Sequence, residues 1–173
     1  MPGRAREREA IQQPSDPAIR YIPLTQGKRA IVDAGDYVYL MQWSGFAHRS
    51  GGCKSFYALR MEKGRTIAMH AAILGIQGGA ENVTADHISG DTLDNRRANL
   101  RVATFDQQCR NRGRREDCSS GFKGVERLKR GFRARIRVDG RLISLGLYAT
   151  PEEAHHAYCV AAMRLHGEFA RFE

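Results

Sequence analysis

Apolar and polar residues alternate with a period of two in several short runs of this chain, and the runs are broken by turn residues. Tyr21-Ile22-Pro23-Leu24 and Lys28-Arg29-Ala30-Ile31-Val32 read as short strands, the second ending at Asp33. Asp36 to Leu40 reads as a helical turn leading to Gln42-Trp43, with Trp43 as a core residue. Phe56 to Arg60 and Thr66 to Met69 are two further strands, and Glu62-Lys63-Gly64-Arg65 is the hairpin turn near them. His70 to Leu74 fits a short helix. Val83-Thr84-Ala85 and Leu100-Arg101-Val102-Ala103 then predict two short strands. Thr104-Phe105-Asp106-Gln107 predicts a capping box that opens a helix with Gln108 in its first turn.

A second pattern begins after the polar, basic stretch Asn111 to Ser120. Phe122 to Leu128 predicts a strand, Lys129-Arg130-Gly131 a turn, and Phe132 to Val138 a strand of strict alternation. Phe132, Ala134, Ile136 and Val138 fall on one face, and Arg133, Arg135 and Arg137 on the other. Asp139-Gly140 is a strong hairpin signal before a third strand, Arg141 to Leu147. Thr150-Pro151-Glu152-Glu153 starts a helix with a threonine cap, an early proline and acids in the first turn. Ala154, Ala157, Tyr158, Ala161, Ala162 and Leu165 form one face of that helix, and Gly167 ends it.

The fold class expected is therefore α+β. Residues 1–18 read as a flexible tail, 19–69 as a β-rich region, 70–115 as a ββα core and 116–173 as a three-stranded antiparallel sheet packed on one helix. The boundary near Glu116 rests on the change in composition there. Gln77 to Glu81 is a glycine-rich loop without a phosphate-binding pattern.

Charge narrows the partners. The formal net charge is +9 over 173 residues, and Arg101 to Arg141 alone holds thirteen Lys/Arg against five Asp/Glu. A clustered excess of this kind points to an anionic polymer, most simply nucleic acid. Cys53, Cys109, Cys118 and Cys159 form no Cys-x-x-Cys pair, which argues against a zinc knuckle and for reduced thiols. No secretory leader or membrane-length apolar stretch is visible, so a cytoplasmic protein is expected.

The chemistry is concentrated between Asp86 and Asn111. An acidic residue directly before a histidine joins a hard oxygen donor to a group that takes up protons near neutral pH. Asp86-His87 is followed by Gly90-Asp91, Asp94-Asn95, Asn99-Leu100-Arg101 and the capped helix. In that order these residues resemble the HNH nucleases with a ββα-metal core. The resemblance implies that Asp86 binds the metal, that His87 is the general base, and that Asn99 orients the loop carrying His87. It also implies a final metal ligand nine residues after Asn99, which is Gln108, where this subgroup usually has asparagine. Ala71 follows His70 where related chains usually carry arginine. His70 itself reads as a structural histidine that joins the metal centre only if the fold carries it there.

The C-terminal pattern resembles the plant ethylene-response-factor (Apetala-type) DNA-binding domain. The resemblance rests on Phe122-Lys123-Gly124-Val125, Phe132-x-Ala134-x-Ile136-Arg137, Leu145-Gly146-x-Tyr148, the Glu-Glu-Ala helix start, Ala157-Tyr158 and Ala161-Ala162. Phe132 and Ser144 stand where the plant domains have tryptophan. The two resemblances together imply a phage- or mobile-element-type endonuclease, in a bacterial or phage-infected cell. It would use Mg²⁺ or Mn²⁺ to nick double-stranded DNA as a monomer, or as a dimer on DNA. The DNA-binding set expected is Arg110, Arg112, Arg114, Arg115, Lys123, Arg127, Lys129, Arg130, Arg133, Arg135, Arg137 and Arg141. The alternatives are a regulatory DNA-binding protein with a degenerate, inactive core, and an RNA-binding protein.

Overall fold

A computed structural model describes residues 11–49, 55–76, 83–114 and 118–172. The tail up to residue 10, Cys53, the loop Gln77 to Glu81, Arg115, Glu116 and Asp117 lie outside the described residues. The chain divides into two compact units, Met1–Ala103 and Thr104–Glu173.

In the first unit, β1 (Ile19–Pro23) pairs antiparallel with β2 (Arg29–Asp33), and α1 (Ala34–Leu40) follows directly. The tail expected to reach Ala18 is anchored before that point. Gln13 accepts from the Tyr21 N–H at 3.0 Å and donates to the Tyr21 carbonyl at 3.1 Å. A second sheet has the order β3 (Gly45–Arg49), β4 (Phe56–Glu62), β5 (Arg65–Ala68), and α2 (Met69–Ile73) continues from it. Lys63 and Gly64 both have positive φ, +47° and +76°, as a tight two-residue hairpin turn demands. Strand β3 is absent from the sequence pattern because Gly-Phe-Ala-His-Arg carries no β-branched residue, and pairing with β4 is what forms it. Strands β6 (Val83–His87) and β7 (Leu100–Thr104) form a two-stranded sheet. Leu100 enters a core made with Ile22, Val32, Leu40, Ala58, Met69 and Ile73, which ties β7 to the N-terminal sheets.

The second unit begins with α3 (Phe105–Arg110), where Thr104 and Gln107 form the expected capping box. Its sheet has the order β10 (Arg141–Tyr148), β9 (Phe132–Val138), β8 (Val125–Arg127), and α4 (Pro151–His166) lies across one face. Strand β8 is shorter than the sequence suggests. Gly121 and Gly124 adopt φ of +78° and +77°, so Phe122 enters the core from a turn instead of a strand. Ala134, Ala154 and Ala162 are 0% exposed, so backbone and helix meet closely through small side chains. Leu165, expected on the packed face, is 45% exposed; His166 is buried in its place and bonds the Arg137 carbonyl through Nε2 at 3.0 Å.

The division between units precedes α3 rather than falling near Glu116. Two side chains explain this. Lys123 Nζ donates to the Arg110 carbonyl at 2.9 Å, at the C-terminal end of α3, and the Arg110 guanidinium pairs with Asp139 at 3.1 Å. Both contacts bind the helix to the C-terminal module. Among the described residues no helix is long and apolar enough to cross a membrane.

Candidate active site

Strand β6 ends in three consecutive buried residues, Ala85, Asp86 and His87. A turn follows, and Asn99 spans it. The Ser89 N–H donates to Asn99 Oδ1 at 2.9 Å, and Asn99 Nδ2 donates to the Asp94 carbonyl at 2.7 Å. The backbone adds Ile88 N–H to the Asn99 carbonyl at 2.8 Å. One buried amide therefore ties both ends of the loop next to His87.

The loop is also fastened to the N-terminal strands. The Ile31 N–H donates to the Leu93 carbonyl at 2.9 Å, and the Asn95 N–H donates to the Ile31 carbonyl at 2.7 Å. The Arg97 N–H donates to Asp33 at 2.7 Å, and its guanidinium forks onto both Asp36 oxygens at 2.7 and 2.9 Å. Thr92 Oγ1 donates to the Phe56 carbonyl at 2.7 Å. The N-terminal β region is a brace for this loop, a role the sequence pattern does not disclose.

Asp86 and Arg101 face each other from the paired strands. Arg101 donates to Asp86 Oδ2 through Nε at 3.0 Å and Nη2 at 2.9 Å, with side chains only 11% and 6% exposed. A carboxylate so enclosed requires a cation, and Arg101 supplies one. Nearby, Arg96 forks onto Asp94 and holds its carboxyl below the usual carboxylate range.

His87 is packed by rings. Its centroid lies 4.9 Å from His70 and 6.2 Å from Tyr57, both edge-on, and Tyr57 and His70 are 5.8 Å apart. The fold thus carries His70 to His87, and His70 is not a satisfied structural residue, because its buried Nδ1 has no hydrogen-bond partner among the described residues. Burial, and then the neighbouring His87, push the His70 pKa down to about 4. Burial also lowers His87; the Asn95 bond and then Asp86, Asp91 and Asp94 pull the other way. At neutral pH His87 is an uncharged imidazole, able to accept a proton.

Among the described residues no group of three or more His, Cys, Asp or Glu side chains is placed to hold a metal. Mg²⁺ does not require one. It keeps several waters and takes one or two carboxylates plus substrate phosphate, so a single buried Asp86 carboxylate fits its hard-oxygen preference. Gln108 is half-buried in the first turn of α3, in the second unit. Its assignment as a ligand rests on the family resemblance alone.

The second unit carries the basic residues. Arg133, Arg135 and Arg137 stand on the β9 face away from the α4 core. Opposite Arg133 in register is Glu126, which accepts from Arg133 at 2.6 and 2.9 Å and pairs with Arg135 at 3.4 Å. Arg112, Arg114, Lys123, Arg127 and Arg135 line a groove of about 590 Å³ in which Glu126 is the one described carboxylate. Lys129, Arg130 and Arg141 are exposed. Lys123 and Arg110 differ from the rest: both are turned partly inward to internal partners. Burial, and then Arg171, lower the Lys123 pKa to about 8. Cys109, Cys118 and Cys159 are free thiols.

Of the side chains around His87, sequence reasoning assigned no site role to Asn95, Arg101 or Tyr57. The Asp86–Arg101 pair had a signal, since a buried carboxylate on one strand of a hairpin calls for a cation across from it. Tyr57 had none, because it lies on a strand distant in sequence from His87, and Asn95 had none, because its seat is the Ile31 carbonyl on β2.

Over 121 residues the chain is 31% identical to a protein of Acanthamoeba polyphaga mimivirus named as an uncharacterized HNH endonuclease. The match takes in 68% of this chain and 62% of the viral protein, so the chain spans less than two thirds of that relative. No family model matches the chain, and no solved structure matches it.

Proposed function

We propose that the chain is an HNH-type, metal-dependent endonuclease that nicks double-stranded DNA, with an Apetala-type module as its DNA-binding part. The observation that supports this best is the buried Asp86–His87 pair at the end of β6, with His87 uncharged and enclosed by Tyr57 and His70. The viral relative's name agrees with it.

In this reading Asp86 would hold the divalent cation, and Arg101, forked onto Oδ2, fixes the orientation of its carboxylate. Such an ion, when bound, neutralises charge on the scissile phosphate and on the leaving oxygen. His87 takes a proton from water. The resulting hydroxide attacks phosphorus, the bond to the 3′ oxygen breaks, and that oxygen takes a proton from solvent water, which leaves 5′-phosphate and 3′-hydroxyl ends. Asn99 keeps the loop closed so that His87 stays beside Asp86. One such site cuts one strand. The basic groove of the second unit supplies phosphate contacts, which position DNA without reading sequence.

One observation favours a second reading. Arg101 already neutralises Asp86, as it would in a relic that binds DNA without cutting it. Supercoiled plasmid with Mg²⁺ or Mn²⁺ separates the two. The nuclease converts it to the open-circular form and stops with EDTA, whereas an inactive core leaves it supercoiled at any metal concentration.

A further inference from the structure

The proton on the His87 ring can be placed from its surroundings. Asn95 is 0% exposed and its backbone is held on β2 by the Ile31 carbonyl. Its Nδ2 donates to the Leu93 carbonyl at 3.1 Å. A carbonyl only accepts, so the amide must point its nitrogen at Leu93 and its oxygen the other way. That oxygen, Oδ1, lies 3.3 Å from His87 Nε2. An amide oxygen also only accepts, so Nε2 carries the hydrogen. A neutral imidazole has one N–H, and the lone pair is then on Nδ1.

We propose that Asn95 is a positioning residue for the cleavage step: seated on β2 through Ile31, it fixes His87 in the Nε2–H tautomer and makes Nδ1 the basic nitrogen. The proposal rests on the nuclease reading above. The edge-on rings of Tyr57 and His70 restrict rotation of the imidazole. Rotation alone would leave the tautomer open, and Asn95 closes it. The parallel bridge between Ile31 and Asp94 places the loop on β2, so the N-terminal strands reach the reacting nitrogen through one amide.

The test reads the tautomer directly. In ¹⁵N-labelled full-length chain at about pH 8, above the ordinary imidazole pKa of ~6.5, long-range ¹H–¹⁵N correlations separate the two neutral forms. The spectrum of His87→Gln identifies the signals that belong to His87. The expected result is a protonated Nε2; a protonated Nδ1, or an even mixture, overturns the proposal. Asn95→Leu keeps the approximate volume and removes the acceptor. It is expected to mix the tautomers and to lower kcat by between about tenfold and 10⁴-fold, with the Kd for DNA unchanged. A folded Asn95→Leu chain with one tautomer and full kcat overturns the proposal. If that variant does not fold, the wild-type spectrum decides. A chain that shows Nε2–H but never cuts sinks the nuclease reading, and a chain that cuts with Nδ1–H sinks this proposal alone.

Discussion

At the scale of single residues, burial sets the chemistry around His87. His70 has its pKa lowered to about 4, chiefly by burial, against ~6.5 in an unfolded chain. Below ~6.5 the unfolded chain takes up a proton that the fold refuses. Stability is therefore complete above ~6.5 and falls as pH drops toward about 4, at up to about 1.4 kcal/mol per pH unit. His87 and His166, also lowered by burial, act in the same direction. The urea midpoint should fall between pH 7 and 5, and it should fall less steeply in His70→Leu; parallel slopes would mean that His70 is not buried as described. Asp86 and His87 stood out in the sequence as an adjacent carboxylate and imidazole, and Asn99 joined them through the resemblance to HNH nucleases. Asn95 was not legible, because its place is fixed by Ile31, on a strand far earlier in the sequence.

At the scale of elements, local rules carried most of the fold. Both capping boxes, at Thr104 and at Thr150, form as their residues dictate. So does the Asp139-Gly140 turn, with φ of +47° and +77°. What failed were elements decided by packing: β3, formed by its partner, and the start of β8, cut short where Gly124 passes Tyr158. A Cβ at Gly124 would meet Tyr158 Cδ2 at 2.1 Å, with φ at +77°. Gly140 has the same φ of +77° and open space around it. Gly124→Ala should therefore cost about 3 kcal/mol or more, from overpacking plus backbone strain. Gly140→Ala should cost only about 1–2 kcal/mol. Chemical denaturation of the two variants checks this, and equal losses would remove Tyr158 as the cause.

At the scale of the whole molecule, the candidate groups fall in different units, with the Asp86–His87 pair in the first and the arginine-bearing sheet and basic groove in the second. The charge excess marked the second unit in the sequence. The partial neutralisation of its ladder by Glu126 was not legible, since it depends on the register of β8 against β9. Glu126→Gln should free Arg133 and Arg135 for phosphate, tighten binding to unrelated duplexes and steepen the salt dependence by about one unit. Arg135→Ala should weaken duplex binding by roughly 1–3 kcal/mol if it reads a base, or equally on all sequences if it touches phosphate. No change in either variant would take this face out of the interface. In the proposed mechanism catalysis belongs to the first unit, and His87 acts on water rather than on the duplex. The most direct measurement is therefore the cleavage rate and DNA affinity of His87→Ala beside wild type, in one Mg²⁺ buffer. The rate should fall by about 10²–10⁴-fold, the usual contribution of a general base, while affinity stays the same. A variant that cuts as fast as wild type would contradict the assignment of His87 and the nuclease site built around it.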